Sequence, residues 1–100
     1  MDVSRSIRLA VDSGRVVLGS QKAVTLVKSG GCKLLVLSQN APADLSRDIT
    51  HYAKMSGIPL IVYEGTSIEL GAVCGKPFTV SALCVLDEGN SDILKASRGA

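Results

Sequence analysis

The chain has 100 residues, enough for one compact domain, and 46% of them are hydrophobic, so a real core can form. No stretch approaches the roughly 18–20 apolar residues needed to cross a bilayer. Asp2, Arg5 and Arg8 are followed by no long apolar run of the secretory type, so a soluble intracellular protein is expected. The formal net charge is +2 but unevenly spread: Arg5, Arg8, Arg15, Lys22, Lys28 and Lys33 face only Asp2 and Asp12 in the first third, while the rest is net negative. Such asymmetry fits a polyanion on one side of the molecule, or scattered solubilising charge.

Elements alternate along the chain. Val3, Ile7, Ala10 and Val11 recur at helical spacing, and Ser13-Gly14 ends that segment. Arg15–Leu18 reads as a short strand and Ser20–Ser29 as a helix closed by Gly30-Gly31. Lys33–Leu37 is a continuous apolar run of strand length, the pattern of a strand covered on both faces. After the loop Ser38–Pro42, a helix is predicted from Ala43 to Met55, with Leu45, Ile49, Tyr52 and Ala53 on one face. Pro59–Tyr63 reads as a third strand. Thr66-Ser67-Ile68-Glu69 reads as a capping box opening a short helix to Val73. Phe78–Leu86 reads as a fourth strand and Ser91–Ala96 as a last helix capped by Ser91. Strands separated by helical crossovers imply an α/β fold, a three-layer α/β/α sandwich around a mixed sheet.

Little in the chain suits catalysis or metal binding. Cys32, Cys74 and Cys84 form no CxxC pair and lie among apolar neighbours, so each reads as a small buried hydrophobe. His51, the single histidine, falls mid-helix, away from Ser20 and Ser38. The glycines match neither a Walker loop nor a dinucleotide fingerprint. A small enzyme or nucleotide binder is the competing class; no cofactor is expected.

In a sheet of this kind ligands gather outside the carboxyl ends of the strands. Three loops qualify: Gly19-Ser20-Gln21-Lys22, Ser38-Gln39-Asn40 and Glu64-Gly65-Thr66-Ser67. The Gly75-Lys76-Pro77-Phe78 turn joins them if the fourth strand is antiparallel, which is the expectation. Gly19–Lys22 opens a helix, where free backbone N–H groups and the helix dipole favour an anion; a plain turn and cap is the other reading. Lysine with that helix start can hold a phosphate, Gln21 and Asn40 can bond base edges, and an exposed Phe78 can stack on an unpaired base. Alternatively, Phe78 is a core aromatic that starts a strand.

Order and spacing across nearly the whole chain bear a family resemblance. It is carried by Leu18-Gly19 with Lys22, Gly31–Val36 followed by Asn40, Asp48-Ile49 with Tyr52-Ala53, Ser56–Pro59, Gly65–Gly71, Gly75–Ala82 and Asp87–Leu94. In these the chain resembles the archaeal and eukaryotic large-subunit ribosomal "L-thirty-e" family, within the kink-turn RNA-binding superfamily. The resemblance implies a four-stranded mixed sheet in an α/β/α sandwich, no catalysis, a cytoplasmic ribosomal location, and partners in large-subunit ribosomal RNA and neighbouring ribosomal proteins. It implies a protein that is monomeric when free. By position, Gly19, Ser20, Gln21 and Lys22 would meet the RNA backbone and bulged bases, Asn40 would make a polar contact, and Lys76, Pro77 and Phe78 would meet an extruded base. One departure is Gln21, which stands where relatives often carry a basic residue and leaves Lys22 the only charge in its tetrad. A kink-turn binder of another ribonucleoprotein is the nearest alternative.

Overall fold

The computed structural model describes residues 3–89 together with Ser91 and Ile93. In chain order it contains α1 (Val3–Ser13), β1 (Arg15–Leu18), α2 (Ser20–Ser29), β2 (Leu34–Ser38), α3 (Ala43–Ser56), β3 (Leu60–Tyr63), α4 (Ser67–Val73) and β4 (Ala82–Asp87). Each helix turns a narrow apolar stripe inward: Ile7 and Ala10 in α1, Ala23 and Val27 in α2, Ile49 and Ala53 in α3, Leu70 in α4. The chain leaves α2 and α3 in the same way. Gly31 and Gly30 donate to the carbonyls of Leu26 and Val27, and Ile58 and Gly57 donate to those of Ala53 and Lys54.

The four strands lie in the order β1-β4-β2-β3. β2 and β3 run parallel, in register from Leu35↔Leu60 to Ser38↔Tyr63. β4 runs antiparallel to both β1 and β2, as expected. All five residues of β2 are buried, which accounts for its unbroken apolar sequence. One core lies on the α1/α4 side, built from Ile7, Leu34, Val36, Leu70, Leu83 and their neighbours. A second lies on the α2/α3 side, built from Ala23, Val27, Leu35, Leu37, Ile49 and theirs. The alternation of Leu34 and Val36 with Leu35 and Leu37 between the two cores is the period-2 geometry of a strand. Each fully buried leucine or isoleucine contributes about 1.5–3 kcal/mol.

Three sequence-based expectations need correction. The fourth strand begins at Ala82 rather than Phe78. The preceding residues are drawn off to α4, where Val80 N–H donates to the Ser67 carbonyl at 3.0 Å. The edges of β2, β3 and α3 shift by one residue, to Leu34, Leu60 and Ser56. The cysteines are buried as expected, but Cys32 and Cys84 are joined in a disulfide with a Cα–Cα distance of 5.8 Å, tying the segment before β2 to β4. Cys74 keeps a free, buried thiol. Burial pushes its pKa up, and the charges of Lys76 and Arg8 partly oppose that shift. The predicted last helix falls outside the described residues apart from Ser91 and Ile93. There the Ser91 hydroxyl accepts the Ile93 N–H at 3.1 Å, the arrangement of an N-cap.

Candidate nucleic-acid interface

With β1, β2 and β3 parallel, their carboxyl ends open at one rim of the sheet, and antiparallel β4 starts at that rim. The loops there are stitched together by main-chain hydrogen bonds. Gly19 N–H donates to the Ala82 carbonyl (3.1 Å), Ser38 N–H to Ser81 (2.8 Å) and Gln39 N–H to Gly65 (3.0 Å). Each bond ties the end of a strand, or the loop that follows it, to a neighbouring segment, so the rim forms one connected ledge.

Gly19 has φ 124 and ψ 143, a backbone that residues with a Cβ rarely adopt. It turns the chain from β1 straight into α2 and offers no side chain to cap the helix, whose first turn carries no acidic residue. Helix α3 opens at the same end but carries Asp44 in its first turn, with Arg47 3.8 Å away. The positive end of α2 is therefore not offset by a carboxylate of its own first turn, which exposes Gln21 and Lys22.

Asn40 is exposed, yet its amide is held firmly. Its Oδ1 accepts the Ser67 N–H at 2.8 Å and the Ser38 hydroxyl at 3.2 Å. Both partners are donors, so the carbonyl is turned inward and the NH2 group outward. The sequence suggests an amide able to bond base edges; the fold makes it a donor facing outward.

The Lys76–Phe78 loop is anchored along α4. Lys76 N–H donates to the Gly71 carbonyl (3.0 Å), and Val80 N–H returns to Ser67. Between them the backbone lies directly on Gly71: a Cβ there would come within 2.0 Å of the Phe78 carbonyl oxygen. Held at both ends, the loop projects the Phe78 ring, which is 55% exposed. Of the two readings left open for Phe78, the core aromatic is thus the wrong one. At the start of α4 Thr66 Oγ1 accepts the Glu69 N–H at 3.2 Å, the predicted cap.

Gly19, Asn40 and the backbone on either side of Phe78 belong to one hydrogen-bonded assembly, while Ser20, Gln21 and Lys22 follow Gly19 in the first turn of α2 and lie off it. A continuous path runs from Gly19 to Ala82 and Ser81, across to Ser38 and Asn40, on to Ser67, and from Ser67 to Val80 and the Phe78 loop. Ile68, 69% exposed in the first turn of α4, adds an apolar side chain that the sequence reading passed over. The signal was present: buried Leu70 and Cys74, four apart, mark the inward stripe, and Ile68 lies off it. Among the described residues no group of three or more His, Cys, Asp or Glu is placed to hold a metal, and no helix is long and apolar enough to cross a membrane.

The molecule is a small α/β/α sandwich that carries an outward amide donor, exposed lysines and an exposed ring on the strand-end rim and along α4. Comparison with known proteins gives the family: residues 1–95 match the ribosomal protein L7Ae/L30e/S12e/Gadd45 family, and the chain belongs to it. Its relatives include the large ribosomal subunit protein eL30 of Methanothermobacter thermautotrophicus, 55% identical over 95% of this chain and 97% of that one. The eL30 of Methanocaldococcus jannaschii is 56% identical over 95% of this chain and 86% of its own length. A solved structure described as a protein of unknown function from Bacillus halodurans matches with a TM-score of 0.82 at 23% identity, covering 99% and 98% of the two chains. That likeness bears on the fold alone. The curated relatives carry names of ribosomal proteins, not of enzymes.

Proposed function

We propose that this chain is a structural constituent of the large ribosomal subunit, in the cytoplasm, and that it binds a kink-turn-like internal loop of ribosomal RNA through the ledge at the strand ends. Neighbouring ribosomal proteins complete its surroundings, and the free protein is a monomer. The observation that supports the reading is the hydrogen-bonded path from Gly19 through Asn40 and Ser67 to the segment that follows Phe78, which links the loops carrying the proposed contacts. An RNA internal loop offers the matching chemistry: a bent backbone for Lys22 and the start of α2, a base acceptor for the Asn40 NH2, and an extruded base for Phe78. Recognition is then by shape, with no bond made or broken.

The test is a titration of the protein with a kink-turn RNA and with a straight duplex at two salt concentrations. Preference for the kinked RNA is expected; equal affinity for both would sink the proposal. Lys22→Ala should weaken binding and flatten the salt dependence by about one phosphate contact. Phe78→Ala should cost on the order of 1–3 kcal/mol of affinity with little change in salt slope. Because the ring is largely exposed, its thermal midpoint should stay close to that of the wild type.

A further inference from the structure

The basic side chains of α1 lie outside the ledge, and one of them is aimed at its loop. Arg8 Nε donates to Asp12 Oδ2 at 3.0 Å, an exposed i,i+4 pair that orients the guanidinium but is worth little in stability. The rest of the guanidinium lies against Gly75: a Cβ built there would be 2.6 Å from Nη1, 2.9 Å from Cζ and 3.2 Å from Nη2. Gly75 immediately precedes Lys76 in the loop that projects Phe78. The Arg8 side chain is 52% exposed, so part of it reaches solvent, and the residue that follows Gly75, Lys76, is exposed as well.

We propose that Arg8 is part of the RNA interface: held flat on Gly75 next to Lys76, it gives the Phe78 loop a second cation, which takes a phosphate of the RNA strand flanking the internal loop. The inference rests on the RNA reading above. Helix α4 has seven residues, so Gly75 lies about 10 Å down the α1/α4 side from the rim. The contact therefore falls on the backbone beyond the bulged bases. Asp12 does not cancel it. Helix α1 runs toward the start of β1, so Asp12 sits one turn farther from the rim and engages the Nε side only. The Nη1/Nη2 edge that remains is the planar fork suited to phosphate oxygens. Cys74 registers the same arrangement, since both Lys76 and Arg8 lower its pKa against burial.

The test uses the intact protein and a kink-turn RNA with several flanking base pairs, titrated between 50 and 200 mM salt. Arg8→Gln keeps much of the side-chain length and removes the charge. It is expected to bind about tenfold more weakly at the low salt and about threefold more weakly at the high salt, because one released counterion changes affinity about threefold over that range. Arg8→Lys should recover most of the slope. Arg15→Gln, which removes the same charge from the opposite pole at the start of β1, should leave the slope unchanged. A wild-type slope for Arg8→Gln, whatever its affinity, overturns the proposal, as does an equal loss of slope for Arg15→Gln. Thermal melts of each variant separate a loosened loop from a lost contact. If the wild type fails to prefer the kinked RNA over a duplex, the parent reading falls with it. If the wild type discriminates and Arg8→Gln keeps its slope, only Arg8 is excluded.

Discussion

Replacing Gly71 with valine is expected to lower the unfolding free energy by about 3 kcal/mol and to remove most RNA binding. Even an alanine Cβ at this position would lie 2.0 Å from the Phe78 carbonyl oxygen and 3.2 Å from its carbonyl carbon. Both are backbone atoms, so no rotamer change relieves the overlap, and either α4 or the loop must move. Overpacking of this kind costs about 1–3 kcal/mol, and a branched side chain against backbone falls at the upper end. Displacement of the loop also strains the Lys76–Gly71 and Val80–Ser67 hydrogen bonds that present Phe78. Denaturant melts and RNA titration of the same variant measure the two losses. Wild-type stability for Gly71→Val would mean that α4 and the loop are not in backbone contact.

The second large effect separates folding from recognition. Asn40→Asp keeps an oxygen where the Ser67 N–H and Ser38 hydroxyl donate, and puts its charge near the amino end of α4. Folded stability should hold or rise by up to about 1 kcal/mol. Affinity for kink-turn RNA should nevertheless fall by about 2–3 kcal/mol, roughly 30- to 150-fold. The outward NH2 donors are lost, and a carboxylate faces a polyanion. Asn40→Ala, in contrast, should weaken both properties, because it also leaves the Ser67 N–H without its partner. The informative measurement is the pair of values for Asn40→Asp. A melting temperature at or above wild type combined with undiminished affinity would remove Asn40 from the interface.

Local pattern carried most of the architecture. The runs Lys33–Leu37 and Pro59–Tyr63, the helical spacing of Ile49 and Ala53, and the Thr66 cap all respond to nearest neighbours, and each of these elements formed within a residue of where its sequence pointed. What stayed hidden depends on residues far apart. Thr79 and Val80 look like strand, yet the Ser67 carbonyl claims Val80, so the sheet begins only at Ala82. The Cys32–Cys84 pairing spans a sequence separation of 52 and has no local signature. The candidate interface divided in the same way. Gly19, Lys22 and Phe78 stand out as residue types at strand ends, whereas the direction of the Asn40 amide and the approach of Arg8 to Gly75 emerge only when α1, α4 and the loops meet.

The position of β4 governs how the molecule comes into being. It is the last strand of the sheet to be synthesised, yet it lies between β1 and β2. Until it emerges from the ribosome that makes it, β1 has no strand to pair with, and the sheet amounts to the parallel pair β2–β3. Both antiparallel pairings of the sheet thus wait for a late, long-range event, the kind of contact that slows folding. The ledge matures in the same step, since Gly19 and Ser38 are bonded to Ala82 and Ser81 at the mouth of β4. A nascent or truncated chain lacking that strand thus has no assembled ledge.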